Sequence, residues 1–243
     1  VSREVLADLD TPLSAYLKLA DGAYSYLFES VHGGEQWGRY SIIGLPCKTV
    51  VKINGKQIRV QKDGELLETL IHDNPLVWIE QFTQRYKVPD LADLPRFNGG
   101  LVGYFGYETI RYIEPRLKGI EKPDPLGCPD VLLMVSEEIL VFDNLSGKVL
   151  LLTHANPEEV DSYNRALARL SDLAEQLREI QAKPKKNAKP CKVEEADFIS
   201  GFTQQGFEDA VLKAKDYITD GDIMQVVLSQ RLSIPYNASP LNL

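Results

Sequence analysis

Apolar residues recur along this chain at two spacings, and the two spacings predict different elements. The dipeptide Thr11-Pro12 is typical of a helix start, and the apolar residues over 13–20 then recur at intervals of three and four positions. The same spacing predicts a second helix over 156–180, opened by a capping-box pattern, and a third over 203–221. We therefore expect three amphipathic helices spread along the chain.

Short apolar runs between turn residues predict β-hairpins after the first helix. In the run TVVKINGKQIRV, Asn54-Gly55 favours a type I′ turn, which would place Val51 opposite Ile58. A second turn is predicted at 63–64, where an aspartate is followed by a glycine. These turns predict antiparallel pairing in this part of the chain.

A longer series of apolar strands lies in DVLLMVSEEILVFDNLSGKVLLLTHA, residues 130–155. Its breaks at 136–137 and 144–147 predict a meander of successive antiparallel strands. Such pairing excludes a doubly wound parallel sheet, so the predicted fold class is α+β, with antiparallel β-sheets and packed helices. One more strand is predicted over 223–236, the segment IMQVVLSQRLSIPY.

A change of composition divides the chain into three parts. Residues 1–181 hold most of the predicted elements, whereas 182–200 are rich in lysine and proline and lack apolar periodicity. We interpret 182–200 as a solvated linker, although its lysines could also form an anion-binding patch. Residues 201–243 hold one predicted helix and one predicted strand, too few to enclose a core, and are interpreted as the start of a second domain.

The overall composition excludes several kinds of partner. The chain has 243 residues, is 44% hydrophobic and carries a formal net charge of -8. We expect no nucleic-acid partner, because backbone phosphates require a clustered basic face. We expect no membrane association, because no apolar run approaches the ~18 residues of a membrane span. The three cysteines are far apart in sequence, which is typical of a protein of the reducing cytoplasm.

The sequence contains no recognisable catalytic constellation. His32, His72 and His154 are isolated from one another and have no metal-ligand spacing. The glycine-rich segment NGGLVGYFGYE, residues 98–108, matches neither the dinucleotide fingerprint nor the P-loop. Its glycines are interpreted as positions where two stretches of backbone approach closely.

The strongest candidate for a binding site is a polar cluster at the ends of two predicted strands. Its members are Glu29, Ser30, Arg39, Tyr40 and Ser41. A free amino acid carries an ammonium and a carboxylate close together, and these side chains offer an acceptor for the first and donors for the second. The site would form if the two strands are neighbours. Alternatively, an exposed glutamate and a turn serine explain the same pattern.

Four longer segments occur in a fixed order along the chain: LFES…GRYSIIG, FNGGLVGYFGYETIRYIEP, DPLGCPDVLLMVSEEILVFDN and GDIMQVVLSQR. As an ordered set covering about residues 10–236, they resemble the anthranilate synthase component I family of chorismate-utilising enzymes. The resemblance implies an α+β sandwich and a lyase of tryptophan biosynthesis. Such an enzyme aminates chorismate with ammonia from a glutaminase partner subunit and eliminates pyruvate to leave anthranilate. Magnesium is implied as the cofactor that holds the substrate carboxylates.

The resemblance also implies a feedback site for L-tryptophan. The family's motif is Leu27-Phe28-Glu29-Ser30 here, with Phe28 in place of a second leucine. By this resemblance Ser30 contacts the bound amino acid, Glu29 lies beside it, and Arg39, Tyr40 and Ser41 form the neighbouring wall.

The family's chorismate and magnesium ligands would lie beyond residue 243. We therefore expect a tryptophan-binding regulatory domain over 1–181, a linker over 182–200 and a truncated catalytic domain over 201–243. No catalytic residue is expected within this chain, which taken alone would be inactive.

Two alternatives remain open at this stage. The related aminodeoxychorismate synthase component shares the fold and the Glu-Ser…Arg-Tyr-Ser neighbourhood, although the match through GRYSIIG and VVLSQR favours anthranilate synthase. The other alternative is a tryptophan-binding module that performs no chemistry. Identification of the product distinguishes the two enzymes.

Overall fold

The computed structural model describes residues 1–6, 9–29, 38–89, 91–92, 94–117, 119, 124, 126–179 and 192–242. The chain divides into two compact units, Val1–Gln181 and Ala182–Leu243. Residues 182–191 of the predicted linker lie outside the described residues. The assignment of a regulatory domain, a linker and the start of a catalytic domain stays a prediction.

The described residues of the first unit form ten strands. They are β1 (Ser2–Leu6), β2 (Tyr26–Phe28), β3 (Tyr40–Gly44), β4 (Thr49–Asn54), β5 (Gln57–Lys62), β6 (Glu65–Ile71), β7 (Gly100–Phe105), β8 (Val131–Ser136), β9 (Glu138–Asp143) and β10 (Lys148–Thr153). The first sheet has the order β1-β10-β9-β3-β2, and the second has the order β6-β5-β4-β8-β7. All neighbours are antiparallel. The predicted α+β class with antiparallel sheets is confirmed.

Helices cover the outer faces of the two sheets. The first sheet is covered by α1 (Pro12–Leu19) and α3 (Ser162–Arg178), and the second by α2 (Pro75–Thr83). The inner faces meet around a shared core of Tyr26, Val50, Val102 and Met134. The first unit is therefore layered in the order helix, sheet, sheet, helix. Two 3-10 helices, Tyr107–Tyr112 and Pro115–Leu117, follow β7.

Local signals at the start of α1 and at the second hairpin are confirmed. The Thr11 side chain accepts a hydrogen bond from the Ser14 backbone N–H at 3.1 Å, so Thr11 caps α1 as predicted. At the turn between β5 and β6, Asp63 has φ 52° and Gly64 has φ 83°. Positive φ at both central residues is the pattern of a type I′ turn.

The turn of the first hairpin lies one residue later than predicted, which shifts the strand pairing by two residues. Asn54 ends β4 and pairs with Gln57, so the turn consists of Gly55 and Lys56, and Val51 lies opposite Val60 rather than Ile58. Only Gly55 has a positive φ, at 54°, which matches the φ pattern of a type II′ turn. Because the pairing is shifted by two residues, Ile58 and Val60 lie on the same face of β5, and the inward-facing set of side chains is unchanged.

The predicted meander over 130–155 is wrong at its first break. β8 pairs with β4 and β7 in the second sheet, whereas β9 pairs with β3 and β10 in the first. The chain thus crosses from one sheet to the other at Glu137. Both strands are buried over nearly their whole length, as expected for internal strands that are covered on both faces.

The start predicted for the second helix is also wrong, because α3 begins at Ser162. The Asn156 side chain instead accepts a hydrogen bond from the Glu158 backbone N–H at 3.1 Å and forms a local turn. Asp161, just before the helix, has φ 64°. Side-chain hydrogen bonds of this kind compete with helix formation.

The second unit contains α4 (Gln204–Thr219), capped by Thr203 as predicted. The strand predicted over 223–236 is reduced to β12 (Leu232–Ser233), which pairs with β11 (Ile199–Ser200). Residues 224–227 are exposed. Among the described residues of this unit only β11 pairs with the segment, and apolar composition without a neighbouring strand does not form a sheet.

Candidate regulatory site

The two strands that carry the predicted polar cluster are neighbours in the first sheet. β2 and β3 are antiparallel, with Leu27 opposite Ile43 and Phe28 opposite Ile42. Continued by one position, this register would place Glu29 opposite Ser41. Glu29 is exposed, and Ser30 lies outside the described residues, as do 31–37. The condition under which the cluster could form a site, adjacency of the strands, is met.

The members of the cluster on β3 lie on opposite faces of the sheet. Ser41 is 1% exposed and lies on the same face as Ile43, which belongs to the core beneath α1 and α3. Tyr40 is exposed and lies on the other face with Ile42, which faces the second sheet. Tyr40 and Ser41 therefore do not converge on one side of the sheet as direct ligand contacts.

Arg39 is held by a partner that the sequence did not suggest. Its Nε and Nη2 donate to Oδ1 and Oδ2 of Asp143 at 3.0 and 2.7 Å, a bidentate pair. The hydrogen bonds from Arg39 and from the turn residue Ser146 lower the pKa of Asp143 to about 2. The Arg39 guanidinium also lies over the Tyr40 ring, 4.9 Å from its centroid.

Asn144 adds three hydrogen bonds to the same segment. Its backbone N–H donates to the Arg39 carbonyl at 2.8 Å. Its side-chain Nδ2 donates to the Gly38 carbonyl at 3.2 Å and to Ser41 Oγ at 3.3 Å. The turn between β9 and β10 thus fixes the strand on which the predicted site depends. In the sequence, Asn144 only opened a predicted break between strands and Asp143 was not singled out, so their contact with Arg39 was missed.

The glycine-rich segment over 98–108 packs closely, as interpreted from its sequence. A Cβ at Gly103 would overlap the carbonyl oxygen of Leu132 on β8, and one at Gly106 would lie 3.0 Å from the Asp130 carbonyl oxygen. Only glycine fits at such approaches without displacing the backbone. This segment is explained by strand packing.

Burial favours the neutral forms of two side chains, Cys47 and His154. Burial raises the pKa of the Cys47 thiol to about 11, so the nucleophilic thiolate is scarce near neutral pH. Burial also lowers the pKa of His154, against the opposing attraction of Glu137. In the described ranges, no three His, Cys, Asp or Glu side chains are grouped so as to hold a metal ion.

A cleft of about 650 Å³ lies elsewhere in the first unit. It is bordered by β1, the start of α1 and the end of α3, and the four predicted site residues that the structure describes do not line it: Glu29, Arg39, Tyr40 and Ser41. Lys18 lines the cleft and is paired with Asp10 at 2.9 Å. Within the described residues, no helix has both the length and the apolar character needed to cross a lipid bilayer.

Comparison with known protein families identifies the class of proteins to which this chain belongs. Residues 25–243 match the family described as chorismate binding enzyme, and the chain belongs to that family. The resemblance inferred from the four segments is thereby confirmed.

The individual relatives carry a more specific name than the family. The chain is 52% identical to anthranilate synthase component 1 of Pseudomonas aeruginosa over 100% of its own length and 50% of that protein. It is 52% identical to the protein of the same name from Neisseria meningitidis serogroup B, over 99% of this chain and 49% of the relative. The chain spans about half the length of the curated relatives it matches.

A solved structure supports the same fold. The crystal structure of anthranilate synthase component I from Streptococcus pneumoniae TIGR4 superimposes with a TM-score of 0.65 at 26% sequence identity. The match covers 98% of this chain and 50% of that protein.

Proposed function

We propose that the chain is part of an anthranilate synthase component I, which converts chorismate and ammonia to anthranilate and pyruvate in tryptophan biosynthesis. One observation carries the proposal: 52% identity to a protein of that name along 100% of this chain. In this proposal a glutaminase partner subunit supplies the ammonia, in keeping with the designation of the relatives as component 1. The enzyme would act in the cytoplasm.

Magnesium belongs to the proposal as the cation that holds the carboxylates of chorismate. The described residues offer no grouped set of metal ligands. For the described residues we therefore propose a regulatory role rather than a catalytic one.

We further propose that L-tryptophan inhibits the enzyme by binding where β2 and β3 end. Glu29 and Ser30 would contact the amino acid, and the segment with Arg39, Tyr40 and Ser41 would form the adjacent wall. The adjacency of the two strands supports this arrangement. Burying an indole removes about 150–250 Å² from water, roughly 4–6 kcal/mol before costs, and the polar groups then select an amino acid.

The activity is tested with the full-length protein, chorismate, ammonium and Mg²⁺. We expect anthranilate, detected by its fluorescence, and one pyruvate per anthranilate. With glutamine in place of ammonium, turnover should require the glutaminase subunit. An accumulating aminodeoxychorismate with no release of pyruvate would instead identify the related synthase, and no consumption of chorismate would refute both.

A further inference from the structure

The turn between β9 and β10 holds the wall of the proposed tryptophan site from one side. Asp143 accepts both hydrogen bonds of the Arg39 guanidinium. Asn144 binds the carbonyls of Gly38 and Arg39 and the hydroxyl of Ser41. Two consecutive residues, about a hundred positions away in sequence, thus fix the start of β3.

The Asp143 carboxylate is also held by hydrogen bonds that do not involve Arg39. Its Oδ1 accepts backbone N–H bonds from Leu145 at 3.1 Å and from Ser146 at 3.4 Å. Its side chain is 18% exposed, against 41% for Arg39. The carboxylate is therefore an oriented acceptor on a tight turn, and the guanidinium that binds it has little freedom to turn toward a ligand.

The positive charge of Arg39 is balanced within the protein. Its planar group is paired with a carboxylate along one edge and covered by the Tyr40 ring on one face. A guanidinium in this state braces the strand rather than presenting a free cation. Ser41 plays a comparable internal part, since its buried hydroxyl accepts from Asn144.

We infer that Asp143 and Asn144 are positioning residues of the tryptophan site, and that Arg39 is a brace for its wall rather than the group that binds the ligand carboxylate. The inference rests on the proposed function, because it concerns the site proposed there. A wall that is rigid before the ligand arrives lowers the ordering cost of binding. Loosening the brace weakens tryptophan binding although no ligand contact is removed.

The main test is Asp143→Asn in the full-length protein, with L-tryptophan binding measured by calorimetry. We expect the dissociation constant to rise roughly tenfold, since the amide loses the charge and one of the two acceptors. The matched control is Glu138→Gln, at the other end of β9. Glu138 binds Arg169 in the same manner, with Nε–Oε1 3.1 Å and Nη2–Oε2 3.0 Å, but away from the site. The control should shift the dissociation constant by less than about twofold.

The sign of the change distinguishes the two roles of Arg39. If Arg39 were the receptor for the ligand carboxylate, Asp143→Asn would free its charge and tighten binding. Arg39→Lys should weaken binding although it keeps the charge, because an ammonium cannot form the bidentate pair. In a double-mutant cycle, Arg39→Lys should add little to Asp143→Asn. Unchanged or tighter binding by Asp143→Asn, or equal loss in the Glu138→Gln control, would overturn the inference.

Two further measurements distinguish unfolding of the protein from displacement of the segment with Arg39 and Ser41. Asn144→Ala keeps the backbone bond to Arg39 and removes only the side-chain bonds, and it should also weaken tryptophan binding. In each variant the half-inhibiting tryptophan concentration is compared with the Vmax and the KM for chorismate, because a loss of folded protein lowers Vmax, whereas displacement of the segment raises the half-inhibiting concentration and leaves Vmax and KM unchanged. A wild-type protein that forms anthranilate but does not bind tryptophan would refute the proposed site itself, and the inference with it.

Discussion

The phenol of Tyr26 on β2 and the hydroxyl of Ser136 on β8 form a buried 2.7 Å hydrogen bond that joins the two sheets. The ring of Tyr26 lies against Gly44 on β3, where a Cβ would overlap it. β2 is an edge strand of only three residues. This bond therefore fixes the short strand that leads into Glu29.

Replacing Tyr26 by phenylalanine should destabilise the first unit. The change leaves the Ser136 hydroxyl without this partner in a buried position, which costs about 1–2 kcal/mol. We expect the unfolding temperature of the full-length protein to fall by a few degrees in thermal denaturation followed by circular dichroism. Tyr163→Phe is the control, since Tyr163 is exposed on α3. Equal unfolding temperatures for Tyr26→Phe and the wild type would show that the bond contributes nothing.

His154 should make stability depend on pH between neutrality and mild acid. Burial lowers its pKa below the ordinary value of 6.5. The folded protein therefore prefers the neutral imidazole, and this contribution is complete above pH 6.5 and is lost as the pH falls through the lowered value. We expect the difference in unfolding temperature between wild type and His154→Gln to shrink from pH 7.5 to pH 5. A difference that grows in acid would contradict the assignment.

Features set by adjacent residues could be predicted from the sequence. Thr11 and Thr203 cap their helices through side-chain bonds to the next turn, and Asp63-Gly64 forms its turn through its own φ angles. Amphipathic spacing and turn signals likewise gave the α+β class. These signals are local, so each is complete within a few residues.

Features set by distant partners could not be predicted. Nothing near Glu137 in the sequence shows that β8 and β9 join different sheets, because both are uniformly apolar. The adjacency of β2 and β3 could be anticipated, whereas the partner of Arg39 is 104 residues away. Charge and hydroxyl content suggested that Arg39 and Ser41 face a ligand, and the structure shows both bonded within the protein.

Gly103 tests the close packing of β7 on β8. A Cβ there would overlap the Leu132 carbonyl oxygen and lie 3.0 Å from the Leu133 Cα, both backbone atoms that cannot rotate away. We expect Gly103→Ala to destabilise the protein by at least about 1–3 kcal/mol. In Gly201→Ala the new Cβ would be 3.6 Å from its nearest neighbour, the Arg231 carbonyl oxygen, so this control should be tolerated. Chemical denaturation of both variants measures the contrast, and similar losses would refute it.

The regulatory proposal makes its sharpest prediction at Ser30. A phenylalanine there would fill the space proposed for the amino acid, so Ser30→Phe should raise the half-inhibiting concentration of L-tryptophan at least about tenfold. Inhibition is a coupling free energy between two sites, so closing one site removes the coupling rather than the chemistry. The control is Ser2→Phe, on β1, which lies at the edge of the first sheet opposite β2. Inhibition curves of the full-length enzyme, recorded by anthranilate fluorescence, decide the matter. If the curve for Ser30→Phe coincides with that of Ser2→Phe, tryptophan does not bind beside Ser30.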